Sequence, residues 1–239
     1  MTGGSARVGI VLPSSNTTTE ADFQRTAPLG VTLHSSRIWL LDTRVLDLES
    51  MNREAESAVR YLATADVDVI AYACTSGSFL GGPGHDEDLV AQLAAAAGRA
   101  AVVCTSPAVV QAIRALGIER IGVVTPYTAD INERLGQYLD GMGFEVTGVA
   151  GAGLVSNLDV GRQTPGEIAA FALSQVDSAA DGYFMSCTNW RAMEVAEALE
   201  RETGKPVVTS NQATIWAAFR AKGINPMATG SQRLFALPA

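Results

Sequence analysis

Long apolar runs are missing. Nothing in the 239-residue chain approaches the roughly 18–20 uninterrupted apolar residues of a membrane-spanning helix. A membrane partner is therefore not expected. Basic residues are scarce: 17 Lys and Arg against 25 Asp and Glu leave a net charge of −8. That balance argues against a nucleic-acid partner, which needs a basic face. It does not argue against a small anion, which senses only its local site. Cysteines number three, with no CxxC pair. An odd, widely spaced set argues against a disulfide framework or a zinc site. The two histidines do not match in position: His34 falls in a predicted strand and His85 in a glycine-rich loop. A His-assisted cysteine hydrolase is thus disfavoured. There is no Walker loop and no GxGxxG after a strand. The run Gly81-Gly82-Pro83-Gly84 carries proline and follows Phe79-Leu80, so it reads as a loop or lid hinge, not a phosphate cradle. No metal and no cofactor is expected. The segment Met1–Arg7 has no signal-peptide hydrophobic region. With reduced thiols, this places the chain in the cytoplasm.

What the chain does have is a repeat. Hydrophobic content of 47% and charged content of 18% fit a globular protein. Cys74 ends an apolar run in Asp68-Val-Ile-Ala-Tyr-Ala-Cys-Thr-Ser-Gly77, and Cys187 does so in Asp181-Gly-Tyr-Phe-Met-Ser-Cys-Thr-Asn189. Their separation is 187 − 74 = 113. Val8-Gly-Ile-Val-Leu-Pro13 and Ile121-Gly-Val-Val-Thr-Pro126 share it, since 122 − 9 = 113. Two anchors with one offset indicate a duplicated unit. A pseudo-two-fold axis would then set the two thiols face to face across one cleft.

The local patterns agree. Strands are predicted at Arg7–Leu12, Val31–Leu40, Val67–Ala73 and Ala101–Cys104, then at Ile121–Thr125, Glu145–Val149, Gly182–Met185 and Val207–Thr209. Helices are predicted at Met51–Ala65, Asp86–Gly98, Pro107–Leu116, Asp130–Met142, Arg191–Thr203 and Gln212–Ala221, with a further start at Thr164-Pro-Gly-Glu167 that has capping-box spacing. Continuous apolar strands alternating with helices indicate parallel sheets covered on both faces. The expected fold is α/β, with two similar parallel-sheet lobes, 1–118 and 119–239, and the site between them. The C-terminal helix is expected to pack back on the first lobe. Ligands in such folds bind at the carboxyl ends of strands.

Several residues are candidates at those ends. Cys74 is followed by Thr75, Ser76 and a flexible Gly77, and Cys187 by Thr188; helix-start N–H groups and hydroxyls there would lower a thiol pKa and cradle a carboxylate. Either cysteine alone would pass for a small buried residue. The matched Cys-Thr pair is harder to explain by packing. Cys104 lacks a counterpart and is assigned to the core. Pro13-Ser-Ser-Asn-Thr-Thr-Thr-Glu20 reads as a helix N-cap, with Glu20 spaced to close a capping box on Thr17, while Asn16 is free to point into the cleft. Tyr127, after Pro126, can reach the same cleft. Asn157 also fits an ordinary turn.

These segments together, Pro13–Glu20, Ala73–Gly77, Thr125-Pro-Tyr127 and Ser186–Asn189, resemble the Asp/Glu racemase superfamily. The chain looks most like its maleate cis-trans isomerase branch, with arylmalonate decarboxylase-like relatives. The resemblance covers nearly the whole chain. It implies cofactor-independent isomerisation of maleate, or a related cis-dicarboxylate, to fumarate. Cys74 would match the nucleophile that forms a succinyl-cysteine adduct, and Cys187 the second thiol. Asn16, Tyr127 and Asn157 would match positions that hold the carboxylates, and Thr75, Ser76 and Thr188 would line the substrate. The partner would be a small dicarboxylate, and the assembly a homo-oligomer, dimer or tetramer. A two-thiol amino-acid or hydantoin racemase is the alternative, but no acidic residue stands beside either cysteine to hold a substrate ammonium. A decarboxylase of the related branch would keep only the second cysteine.

Overall fold

The computed structural model describes residues 6–227 and 232–237. The terminal residues 1–5, read above for a targeting signal, lie outside that range. Strands β1 (Ala6–Pro13), β2 (Val31–Ile38), β3 (Val69–Tyr72) and β4 (Ala101–Cys104) form one sheet in the order β2-β1-β3-β4. Strands β5 (Arg120–Thr125), β6 (Glu145–Gly151), β7 (Gly182–Met185) and β8 (Val207–Thr209) form a second in the order β6-β5-β7-β8. All pairings in both sheets are parallel. The two orders are the same, so the offset read from the sequence is a repeat of topology. A hydrogen bond repeats with it. The backbone N–H of Arg7 donates to Asp68 Oδ2 at 2.9 Å, and that of Arg120 to Asp181 Oδ2 at 3.0 Å. The shift is 113 for both partners, 120 − 7 and 181 − 68. Each aspartate pins the start of a central strand to the loop entering its neighbour.

Ten helices connect the strands among the described residues: α1 (Thr19–Thr26), α2 (Val45–Ala63), α3 (Thr75–Phe79), α4 (His85–Ala96), α5 (Thr105–Ala115), α6 (Ala129–Gly141), α7 (Asn157–Arg162), α8 (Pro165–Ser174), α9 (Met193–Thr203) and α10 (Ser210–Arg220). Strands β3 and β7 are buried along their full length, as covered parallel strands must be. Helix α8 opens with the expected capping box between Thr164 and Glu167. Helix α2 begins earlier than Met51, because Leu48 extends the buried stripe of Met51, Ala55, Ala58, Val59 and Leu62 by one more turn. Helix α10 begins at Ser210, not Gln212. A capping box between Thr209 and Gln212 starts it, and every residue from Ser210 to Phe219 is buried. It packs against α5 and against β3 and β4 of the first sheet.

Two local expectations fail. Glu20 does not close a box on Thr17. It pairs with Arg37 instead, and the cap acceptor is Asn16, whose Oδ1 takes the N–H groups of Thr18 at 2.9 Å and Thr19 at 3.0 Å. Gly77 is not a flexible loop residue. It is buried inside α3, where a Cβ would stand 2.7 Å from the Tyr72 hydroxyl and 2.9 Å from both Asn52 Oδ1 and Met51 Cε. Glycine is there for close approach.

Candidate active site

The ends of β1, β3, β5 and β7 converge where the two sheets meet. Cys74 is the N-cap of α3 and Cys187 follows β7. Both are buried, 4% and 6% exposed. Around Cys74 lie the N–H of Gly77 and the hydroxyl of Ser76, 3.9 Å from the sulfur. Around Cys187 lie the N–H groups of Asn189 and Trp190 and the Tyr127 phenol. The two thiols are near enough to repel as thiolates, and Tyr127 is near both.

The donors next to each thiol are those expected at a strand end, but their net effect is not. Burial pushes the Cys74 thiol up to about 12, and the pull of Gly77 and Ser76 does not offset it. Burial likewise raises Cys187, against Asn189, Tyr127 and Trp190. The donors pull each thiol down as the sequence suggests, but removing a thiolate from water outweighs two or three hydrogen bonds here. Burial also holds the Tyr127 phenol well above its ordinary value, so it stays a neutral donor. Alkylation of Cys74 in the ligand-free protein should therefore climb about tenfold per pH unit through neutrality, as for any thiol titrating far above. Timed iodoacetamide labelling with mass detection checks this. A plateau near about pH 7 would mean a thiolate stabilised beyond what burial allows.

Asn16, Thr75, Ser76, Tyr127, Asn157 and Thr188, the substrate-site candidates, lie around the two cysteine loops. Asn16 donates from Nδ2 to Thr188 Oγ1 at 3.3 Å, and Thr188 donates in turn to the Ala73 carbonyl at 3.1 Å. Asn157 is the first residue of α7, not a turn residue, and donates to Ser15 Oγ at 2.8 Å. Tyr127 accepts from Ser186 Oγ at 3.4 Å. The Thr75 hydroxyl is tied to Ser210 Oγ at 2.8 Å. Cys104 is buried at the N-cap of α5 with its thiol raised to about 12 by burial, in keeping with a core role.

Some residues of the neighbourhood were not among the site candidates. Ser210 joins the two cysteine loops: it accepts from Thr75 Oγ1 and, at 3.0 Å, from the N–H of Cys187. That bond braces a strained residue, since Cys187 has φ +97°. A non-glycine residue there costs about 1–3 kcal/mol, which surrounding structure must supply. Asn189 accepts from the Thr17 N–H at 2.8 Å and donates to the Asn157 carbonyl at 2.6 Å. Arg37 donates to the Ser14 and Asn16 carbonyls, both at 2.9 Å. Asp22 reaches the Cys187 loop through Asn211, its two oxygens taken by Arg25 and Asn211. The available signal was Thr19, Asp22, Phe23 and Thr26, one helical face carrying an acid beside a buried aromatic. No group of three His, Cys, Asp or Glu among the described residues could hold a metal ion. No helix among them is long and apolar enough to cross a membrane.

The family model for arylmalonate decarboxylase matches residues 41–235. The chain is 32% identical to the maleate isomerase of Nocardia farcinica, over 97% of this chain and 96% of that protein. It superposes on a cysteine-to-alanine variant of maleate isomerase from Pseudomonas putida with maleate at a TM-score of 0.93, with 26% identity and 98% of each chain covered. It also superposes, at 0.89 and 29% identity, on a cysteine-to-serine variant of the Nocardia farcinica maleate cis-trans isomerase with a covalently bound succinylcysteine intermediate, covering 97% of this chain and 98% of that one. With that family model spanning most of its length, the chain belongs to the arylmalonate decarboxylase family.

Proposed function

We propose that this protein is a cysteine-dependent cis-trans isomerase that converts maleate, or a closely related cis-dicarboxylate, to fumarate without a cofactor. The observation that carries the reading is the pair of buried thiols, one from each lobe, with Tyr127 beside both. The similarity to maleate isomerases, one of them with a succinylcysteine intermediate, supports the same chemistry. A decarboxylase-like reaction needs one thiol and leaves Cys74 without a task. A racemase needs a partner for an ammonium, and the nearby acid, Asp22, is committed to Arg25 and Asn211.

In this mechanism one thiol is ionised and the other keeps its proton, because mutual repulsion disfavours two thiolates. The Cys74 sulfur adds to one olefinic carbon. The displaced electron pair moves to the neighbouring carbon and its carboxylate, where neutral donors stabilise it. The former double bond is now single and rotates. Cys187 can give that carbon a proton and take it back. Expulsion of the Cys74 sulfur restores the double bond in the trans form, with no net change in atoms or electrons. Asn16, Asn157 and Tyr127 are assigned to the carboxylates, and Thr75, Ser76 and Thr188 to the lining of the site. The chain divides into lobes 1–118 and 119–239. Exposed Trp39, Leu41 and Leu46 around the β2–α2 junction support a homo-oligomer, dimer or tetramer, which light scattering would test.

The direct test is proton NMR of maleate with the isolated protein and EDTA. Fumarate should appear without added metal or nucleotide. Conversion of L-aspartate or L-glutamate to the D-form with stoichiometric solvent deuterium, and no fumarate from maleate, would replace the isomerase with a racemase. Tyr127→Phe probes the carboxylate assignment, since it deletes one hydroxyl. It should lower kcat/KM by roughly ten- to a hundred-fold, the effect of about 1.5–3 kcal/mol for a hydrogen bond to a charged group. An unchanged kcat/KM removes Tyr127 from the site.

A further inference from the structure

A buried carboxylate with no part in the chemistry above lies one side chain away from the Cys187 loop. Asp22, fully buried on α1, accepts from Asn211 Nδ2 at 2.6 Å. The same nitrogen donates to the Thr188 carbonyl at 2.9 Å, so both amide hydrogens of Asn211 are committed. Thr19 Oγ1 donates to that carbonyl as well, at 3.0 Å. Thr188 directly follows Cys187, whose backbone is held at φ +97°. We propose that Asp22 is a positioning residue for Cys187, fixing the Asn211 amide so that it grips the Thr188 carbonyl and holds the strained loop in register. The proposal rests on the two-thiol reading of the site.

The hydrogen-bond inventory makes the link depend on charge. Ionised Asp22 accepts from Arg25 on Oδ1 and from Asn211 on Oδ2. Neither of the facing nitrogens, Arg25 Nη2 and Asn211 Nδ2, can accept a proton. A proton on Oδ2 would face the Asn211 N–H and expel it. A proton on Oδ1 would face Arg25, which is half-exposed and can turn towards Glu194, 3.7 Å away. The Asn211 bond would then survive without the charge that strengthens it. In both cases the grip on Thr188 weakens. The charged groups around Asp22 are Arg25 on its own helix, Glu194 on α9 and Arg191 in the loop just before α9. From α10 the neighbour is Asn211. Burial, the largest effect, raises Asp22 to about 6, with Asn211 and Arg25 pulling the other way. The link is thus intact at neutral pH and released in mildly acid solution.

Site-resolved alkylation tests this without substrate. The ratio of Cys187 to Cys74 labelling by iodoacetamide is followed by mass spectrometry, with Cys74 as control for global opening. In the wild type the ratio should rise as pH falls through about 6, when the loop loosens. Asp22→Asn cannot take up the proton, so its ratio should not vary with pH. Asn211→Ala should show the loosened ratio already at neutral pH and lose about tenfold in kcat with KM held, as expected for a displaced reacting group. A purely structural role would lower the melting temperature and raise labelling of both thiols together. A wild-type ratio flat through this range, or an Asp22→Asn profile like the wild type, overturns the proposal, and the wild-type profile stands even if a variant fails to fold. Absence of maleate turnover with the labelling pattern intact would instead sink the isomerase reading alone.

Discussion

Cys74→Ala is expected to lower maleate turnover by on the order of 10⁴-fold or more and to abolish any covalent adduct. No other described group can take its place. The remaining nearby nucleophile, Cys187, is raised by burial and seated on its own strained turn. Losing the nucleophile of an addition–elimination removes the route, not merely a stabilising contact. The fold should survive, because the change deletes only a sulfur from a side chain at the edge of the core. Intact-mass analysis after incubation with maleate, beside a steady-state assay, reads both effects. Wild-type turnover in this variant would end the assignment of Cys74.

Cys187→Ser should behave differently. Its task is to hold or pass a proton on the far side of the bound molecule, worth about 10²- to 10⁴-fold. The serine hydroxyl keeps the size and can still accept the Tyr127 hydrogen bond, but it is a much weaker acid. Turnover should fall by that amount while Cys74 still gains the mass of one maleate. Thus the two variants separate the roles by what each lets accumulate. If Cys187→Ser forms no adduct and Cys74→Ala does, the roles are reversed.

The particular residues show how far a sequence can carry this. The 113-residue offset was legible because a duplicated strand keeps its composition, and it fixes the two sheets and puts Cys74 and Cys187 at equivalent strand ends. The capping box at Thr164 and Glu167 was legible because its interactions span three residues. The box expected at Thr17 and Glu20 had the same local signal. It lost to Arg37, seventeen positions away, which no local rule includes. Gly77 carried the ordinary sign of flexibility, yet Tyr72, Asn52 and Met51 close on it from other elements.

By itself the sequence determined the fold class, the repeat, the two cysteine loops and the polar strand ends around them. These depend on patterns within a strand or a helix, or on comparing one copy with the other. Tertiary structure alone decided the state of the thiols, the bridging role of Ser210 and the reach of Asp22 to the Cys187 loop. The physical reason is that desolvation and hydrogen-bond completion depend on everything packed around an atom. For Cys187 that includes residues 23 positions later at Ser210 and, through Asn211, α1 near the start of the chain.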